Sequence, residues 1–240
     1  MGDPTKKITY PKFFNMPVSE LLKSPFSTGN HYHIVFKSID GILLFRNDTD
    51  YYIFLERFFQ FNAFVFDTWA YCLLNNHAHL IVKTKSVEAV LKSINERDQA
   101  MQTVAMKKLL AAPGAVEVFD EMAERQCNSF MVSYANYIKN KYQHHGGLFQ
   151  SPFKRKVIDK DTYLQMAIIY VHANPLKHTI SGDYKKYPYS SYEAILKNNS
   201  VYCAAAEVLL FFAGVDQYIL LHQEQVKYYY ATGFPNSKLE

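Results

Sequence analysis

Apolar and polar positions alternate over residues 31–38, His-Tyr-His-Ile-Val-Phe-Lys-Ser, which is the period of a strand, and Asp40-Gly41 supplies a turn after it. Over residues 48–61 the period lengthens to that of a helix, with Asp48 or Thr49 as the N-cap and Tyr52, Leu55, Phe58 and Phe59 on one stripe. Residues 64–74 and 77–84 read as two strands joined by Asn75-Asn76, a pair that tolerates positive φ, so they form a hairpin. A helical pattern follows over 86–110, is broken at Ala111-Ala112-Pro113-Gly114, and resumes over 118–142. A basic extended strand over 149–158 precedes a helix that Asp159 or Asp161 caps and Pro175 stops. Further helical runs lie near 190–197, 204–212 and 215–230.

Strand, helix, two strands, helices, strand, helix is the order of a split β-α-β antiparallel sheet with helices on one face, an α+β fold. The chain then divides into a leader (1–30), a main domain (31–195) with a helical excursion near 95–125, and a C-terminal α-helical appendage (196–240). No internal repeat or low-complexity tract is visible.

Composition adds bounds. With 240 residues and 49% apolar content the chain can fill a sizeable core, and its net charge of +4 permits a polyanionic partner without requiring one. Aromatics are abundant, 19 Tyr and 18 Phe beside one Trp, and many tyrosines of the second half lie near Lys, Arg and His. Such interleaving suits stacking of unpaired bases, although half-burial of the ring accounts for most tyrosines. Cys72, Cys127 and Cys203 are widely spaced, which argues against a disulfide framework or a structural zinc site. Residues 1–12 lack the apolar core of a signal peptide and no stretch reaches transmembrane length, so the expectation is a cytoplasmic protein with no membrane partner.

The candidate chemistry centres on His77-Ala78-His79. Residues at i and i+2 of a strand share a face, so both imidazoles can meet one ion while Ala78 turns into the core; two half-buried strand histidines would give the same pattern. On the later helix, Tyr170 and Asn174 stand at i and i+4 and project together, offering a hydroxyl nucleophile and a carbonyl oxygen, while His172 points elsewhere. Asn174 before Pro175 also reads as a simple helix end, and Tyr163, on nearly the same face, competes as nucleophile. Lys154, Arg155 and Lys156, and more weakly Lys177, His178, Lys185 and Lys186, could meet phosphates or form solvated faces.

Asn76-His77-Ala78-His79, Gly147-Leu148-Phe149-Gln150 with its basic strand, Tyr170-Val171-His172-Ala173-Asn174-Pro175-Leu176-Lys177-His178 and Tyr187-Pro188-Tyr189-Ser190-Ser191-Tyr192 occur in the order that resembles the REP-associated tyrosine transposases, single-tyrosine members of the HUH superfamily. The resemblance runs from about residue 31 to 195. It implies a ferredoxin-like catalytic domain in which His77, His79 and Asn174 hold Mg²⁺ or Mn²⁺ and Tyr170 attacks a phosphodiester, leaving a 5′-phosphotyrosine and a free 3′-hydroxyl. Its partner would be single-stranded or hairpin DNA, contacted by Lys154, Arg155, Lys156 and Lys177, with the protein acting as a monomer or homodimer. Two positions depart from the family pattern: Asn75 replaces a usual proline and Ala173 a larger apolar residue, but neither removes a reactive group. Two rivals stand beside this expectation: a domesticated protein that binds DNA hairpins without cutting, and a metal phosphodiesterase that uses water.

Overall fold

The computed structural model describes residues 23–234, so most of the leader and the last six residues of the appendage lie outside the described residues. Four strands, β1 (His31–Lys37), β2 (Phe66–Leu74), β3 (His77–Thr84) and β4 (Lys154–Ile158), form one antiparallel sheet in the order β2-β3-β1-β4. With α1 (Asp48–Asn62) between β1 and β2, and α2 (Val87–Asn95), α3 (Val104–Ala111) and α4 (Val116–Tyr142) between β3 and β4, this is the ferredoxin-like split β-α-β arrangement that the element order predicts.

The period of two divides each strand between the faces. Tyr32, Ile34, Phe36, Tyr71, Leu73, Ala78, Leu80 and Val82 join the apolar layer under α1 and α4. There Phe36, Phe54, Phe58 and Phe130 meet edge to face, at 4.9 to 6.3 Å between ring centroids. The helix α1 buries Tyr51, Phe54 and Phe58, whereas Tyr52 and Phe59 of the expected stripe are 56% and 45% exposed. The segment is apolar on several sides, so its period alone does not choose which stripe faces the sheet. Its cap is Asn47, whose side chain accepts from the Asp50 N–H.

The expected single helix over 86–110 is instead α2, a 3₁₀ turn (Gln99–Met101) and α3, because Ser86, Asp98 and Thr103 each cap a fresh start. The basic strand begins at Lys154 rather than 149. Before it, Gln150 N–H bonds the Lys37 carbonyl, while Phe149 and Phe153 enter the core.

The opposite face is covered too. Helix α5 (Asp161–Lys177) lies across β2 and β3, and α6 (Tyr192–Leu196), α7 (Ala205–Phe211) and α8 (Val215–Thr232) complete an apolar layer with Trp69, Cys72, Leu74 and Ile81. The two helices of the split unit that pack on the sheet, α1 and α4, thus share one face as expected, and α5 adds a second layer. Residues 187–192 run along β2: Leu73 N–H bonds the Tyr189 carbonyl, Ser191 N–H the Tyr71 carbonyl, and Tyr71 N–H the Ser191 hydroxyl. That pairing covers a strand edge whose polar groups would otherwise be open. Among the described residues no single helix is long and apolar enough to cross a membrane.

Candidate active site

On the face under α5, β3 places His77 and His79 side by side, 5.0 Å between ring centroids, and β1 brings His33 against His79. Hydrogen bonds set their orientation. His77 Nδ1–H donates to Asn76 Oδ1 at 2.7 Å, and His79 Nδ1 stands 3.0 Å from His33 Nε2. With His79 donating from Nδ1, both histidines present an Nε2 lone pair, and both Nε2 atoms are buried without a hydrogen-bond partner. Burial pulls His77 and His33 down to about 3 and His79 well below the usual imidazole range; electrostatic contributions, led by His178 for His77, Lys156 for His33 and His33 for His79, act in the same direction. The three rings are therefore neutral near pH 7, the form that binds metal. Sequence periodicity gave His33 no role. Its signal lies in the alternation His31-x-His33, read together with β1 pairing to β3.

Helix α5 supplies the facing side. Tyr170, Asn174 and His178 follow at intervals of four along one stripe. The Tyr170 ring lies 6.4 Å from that of His79 and 6.5 Å from that of His33, and the His178 ring 4.9 Å from that of His77. Asn174 is fully buried between these two contacts. Pro175 does not stop the helix, which runs on to Lys177. Proline has no N–H for the Val171 carbonyl, and the Asn174 Nδ2 group bends back to it, bonding the Tyr170 and Val171 carbonyls at 3.1 and 3.5 Å. The amide is thereby oriented with Oδ1 turned outward, buried and without a hydrogen-bond partner.

His77 Nε2, His79 Nε2 and Asn174 Oδ1 are three buried acceptors, on elements that face each other, of the kind that bind a divalent cation. Among the described residues no group of three or more His, Cys, Asp or Glu is placed to hold a metal.

The Tyr170 phenol oxygen accepts a 2.7 Å hydrogen bond from Lys177 Nζ, whose ammonium lies 5.2 Å from the ring centroid. The competing Tyr163 sits two turns earlier, beside Lys156, and burial pushes its phenol up to about 12.

The other sequence-predicted cations separate by face. Lys154 and Lys156 stand opposite Val35 and His33 on the histidine side of the sheet. Arg155 points to the other face and is 1% exposed; its guanidinium bonds Asp120 at 2.7 Å, Glu124 at 3.1 Å and the Ser24 carbonyl at 2.6 Å. Arg155 is therefore corrected from a phosphate contact to an internal clamp. The run Lys-Arg-Lys alternates across the sheet, and its central residue cannot share a surface with its neighbours.

No family model matches the chain. A protein of Haemophilus influenzae described as a REP-associated tyrosine transposase is 26% identical over 132 residues, 55% of this chain and 62% of its own length. The chain is similar to that protein over this stretch. It spans less than two thirds of that transposase relative. A solved REP-associated tyrosine transposase bound to a REP hairpin aligns over 73% of this chain and 84% of its own, with a TM-score of 0.43 and 13% identity.

Proposed function

We propose that this chain is a transposase-type DNA strand transferase that cleaves and rejoins single-stranded, hairpin-forming DNA through a 5′-phosphotyrosine on Tyr170. The observation that carries this reading is the juxtaposition of a lysine-bonded phenol with two neutral histidines and an outward-turned amide, all in one chain. The transposase relative, a protein of that name, supports it. His77, His79 and Asn174 would hold Mg²⁺ or Mn²⁺. When bound, the cation supplies charge stabilisation at the phosphate oxygens and the leaving 3′ oxygen.

Tyr170 Oη forms a bond to phosphorus as the bond from phosphorus to the 3′ oxygen breaks; the phenol proton is lost and the 3′ oxygen gains one. The Lys177 ammonium, already bonded to Oη, stabilises the phenolate. A phosphotyrosine ester conserves the energy of the broken bond, so attack by a 3′-hydroxyl reverses the step and rejoins DNA without an energy source. Lys177 and His178, both half-buried, are the outermost members of the cluster, so the scissile phosphate approaches Tyr170 from their side. Lys154 and Lys156 lie on the same side for backbone contacts. Tyr170 faces histidines of its own chain, which supports a monomer with its tyrosine acting in cis. A cytoplasmic setting accompanies this reading.

Incubation with hairpin-bearing single-stranded DNA and Mn²⁺ tests it. A covalent protein-DNA adduct, lost in Tyr170→Phe and His77→Ala, is expected. Cleavage without an adduct would favour the water-using phosphodiesterase, and tight binding without cleavage the binding protein.

A further inference from the structure

One residue of the Tyr170-to-Pro175 motif takes no part in the site. His172 lies on the side of α5 opposite Tyr170 and Asn174, fully buried, and both its ring nitrogens are engaged. Its Nδ1 is 2.9 Å from His222 Nε2 on α8, and its Nε2 is 2.8 Å from the Ser191 hydroxyl. His222 Nδ1 lies 2.7 Å from the Tyr218 carbonyl. A carbonyl only accepts, so His222 donates from Nδ1 and its Nε2 must accept. His172 therefore donates from Nδ1, and its Nε2 accepts the Ser191 hydroxyl proton. Ser191 in turn accepts the Tyr71 N–H at 2.9 Å from the edge of β2. Every ring nitrogen in this chain of bonds is satisfied in one arrangement, and it runs from the sheet through α5 to α8.

We propose that Ser191, His172 and His222 are positioning residues that fix the rotation and register of α5, and through it the placement of Tyr170 and Asn174 against His77 and His79. This rests on the reading of Tyr170 and Asn174 given above. The need for such a clamp follows from Pro175: the helix lacks one backbone hydrogen bond within the turn that carries Asn174, so its local geometry is set by what holds it from outside. The sheet presses on one side of α5. The relay holds the other at residue 172, two positions from each functional residue. Directional bonds specify rotation, which an apolar contact of the same volume does not.

The test compares His172→Leu, His172→Gln and Ser191→Ala with the parental chain. Three quantities are read: Mn²⁺ affinity by electron paramagnetic resonance, hairpin-DNA affinity, and the adduct rate constant at saturating DNA. His172→Leu is expected to lower Mn²⁺ affinity and the adduct rate by about 10- to 100-fold each, the range for groups that orient metal ligands. Hairpin-DNA affinity stays within about threefold, and His172→Gln, which can keep a donor and an acceptor, recovers most of the loss. Ser191→Ala removes one hydroxyl and answers the same question if His172→Leu does not fold. Mn²⁺ affinity and adduct rate within twofold of parental in folded Ser191→Ala and His172→Leu would overturn the proposal, as would a His172→Gln variant as impaired as His172→Leu. If the parental chain forms no adduct, the transferase reading fails, yet the Mn²⁺ affinities still decide the relay.

Discussion

Acid should loosen this protein in a pH window set by histidines rather than carboxylates. His33 and His222 are completely buried, and burial lowers both to about 3. Their partners His79 and His172 are lowered well below the usual value by the same cause. In the unfolded chain all four titrate near 6.5. Between about pH 6.5 and 3 the unfolded state therefore binds protons that the folded state refuses, so stability is complete above 6.5 and falls as pH falls. At pH 5.5 each such histidine costs about 1.4 kcal/mol, so His33 and His222 alone remove roughly 3 kcal/mol, a large share of a typical 5–15 kcal/mol. Asp50 and Glu124, whose carboxyls are held below their ordinary values by Lys141 and by Lys23 and Arg155, add their loss only at lower pH. Urea unfolding at pH 7.5, 6.5 and 5.5 measures this directly, with an unchanged m-value as the check on two-state behaviour. His222→Phe should flatten the pH dependence by about one histidine's share. A midpoint that does not move between pH 7.5 and 5.5 would mean that the imidazoles take up protons in the fold, against this expectation.

Other expectations concern individual cations. Arg155→Met leaves Asp120 and Glu124 without their shared partner and should cost about 3 kcal/mol in urea unfolding, the lower end for breaking a buried ion pair, with no change in the salt dependence of DNA binding. Lys154→Ala and Lys156→Ala should each lower the slope of log affinity against log salt by about 0.7 for single-stranded DNA, with little loss of stability. Lys177→Met removes a charge-assisted hydrogen bond of about 1.5–3 kcal/mol from the phenol oxygen, so the single-turnover adduct rate should fall roughly 10- to 100-fold while hairpin affinity changes far less.

Strand alternation and the Asn75-Asn76 turn made the hairpin and its two histidines legible, because period two fixes which side chains share a face. The same rule, applied to Lys154, Arg155 and Lys156, already implied that the three could not act together. What periodicity could not supply was anything that depends on tertiary pairing. His33 joins His79 only because β1 lies beside β3, and His178 reaches His77 only because α5 continues past Pro175. That continuation depends on an asparagine side chain standing in for a missing backbone donor, a substitution invisible in propensities. The aromatic richness of α1 hid its true face for a related reason: when several sides of a helix are apolar, the sheet decides which one is buried.

The proposed strand transfer depends on Tyr170 as the attacking group. Protease digestion and mass spectrometry of the adduct formed with hairpin-bearing single-stranded DNA and Mn²⁺ test this most directly. A 5′-phosphonucleotide is expected on the peptide that carries Tyr170; the same modification on the Tyr163 side of a cut between the two, or cleaved DNA with no modified peptide, would rule Tyr170 out as the nucleophile.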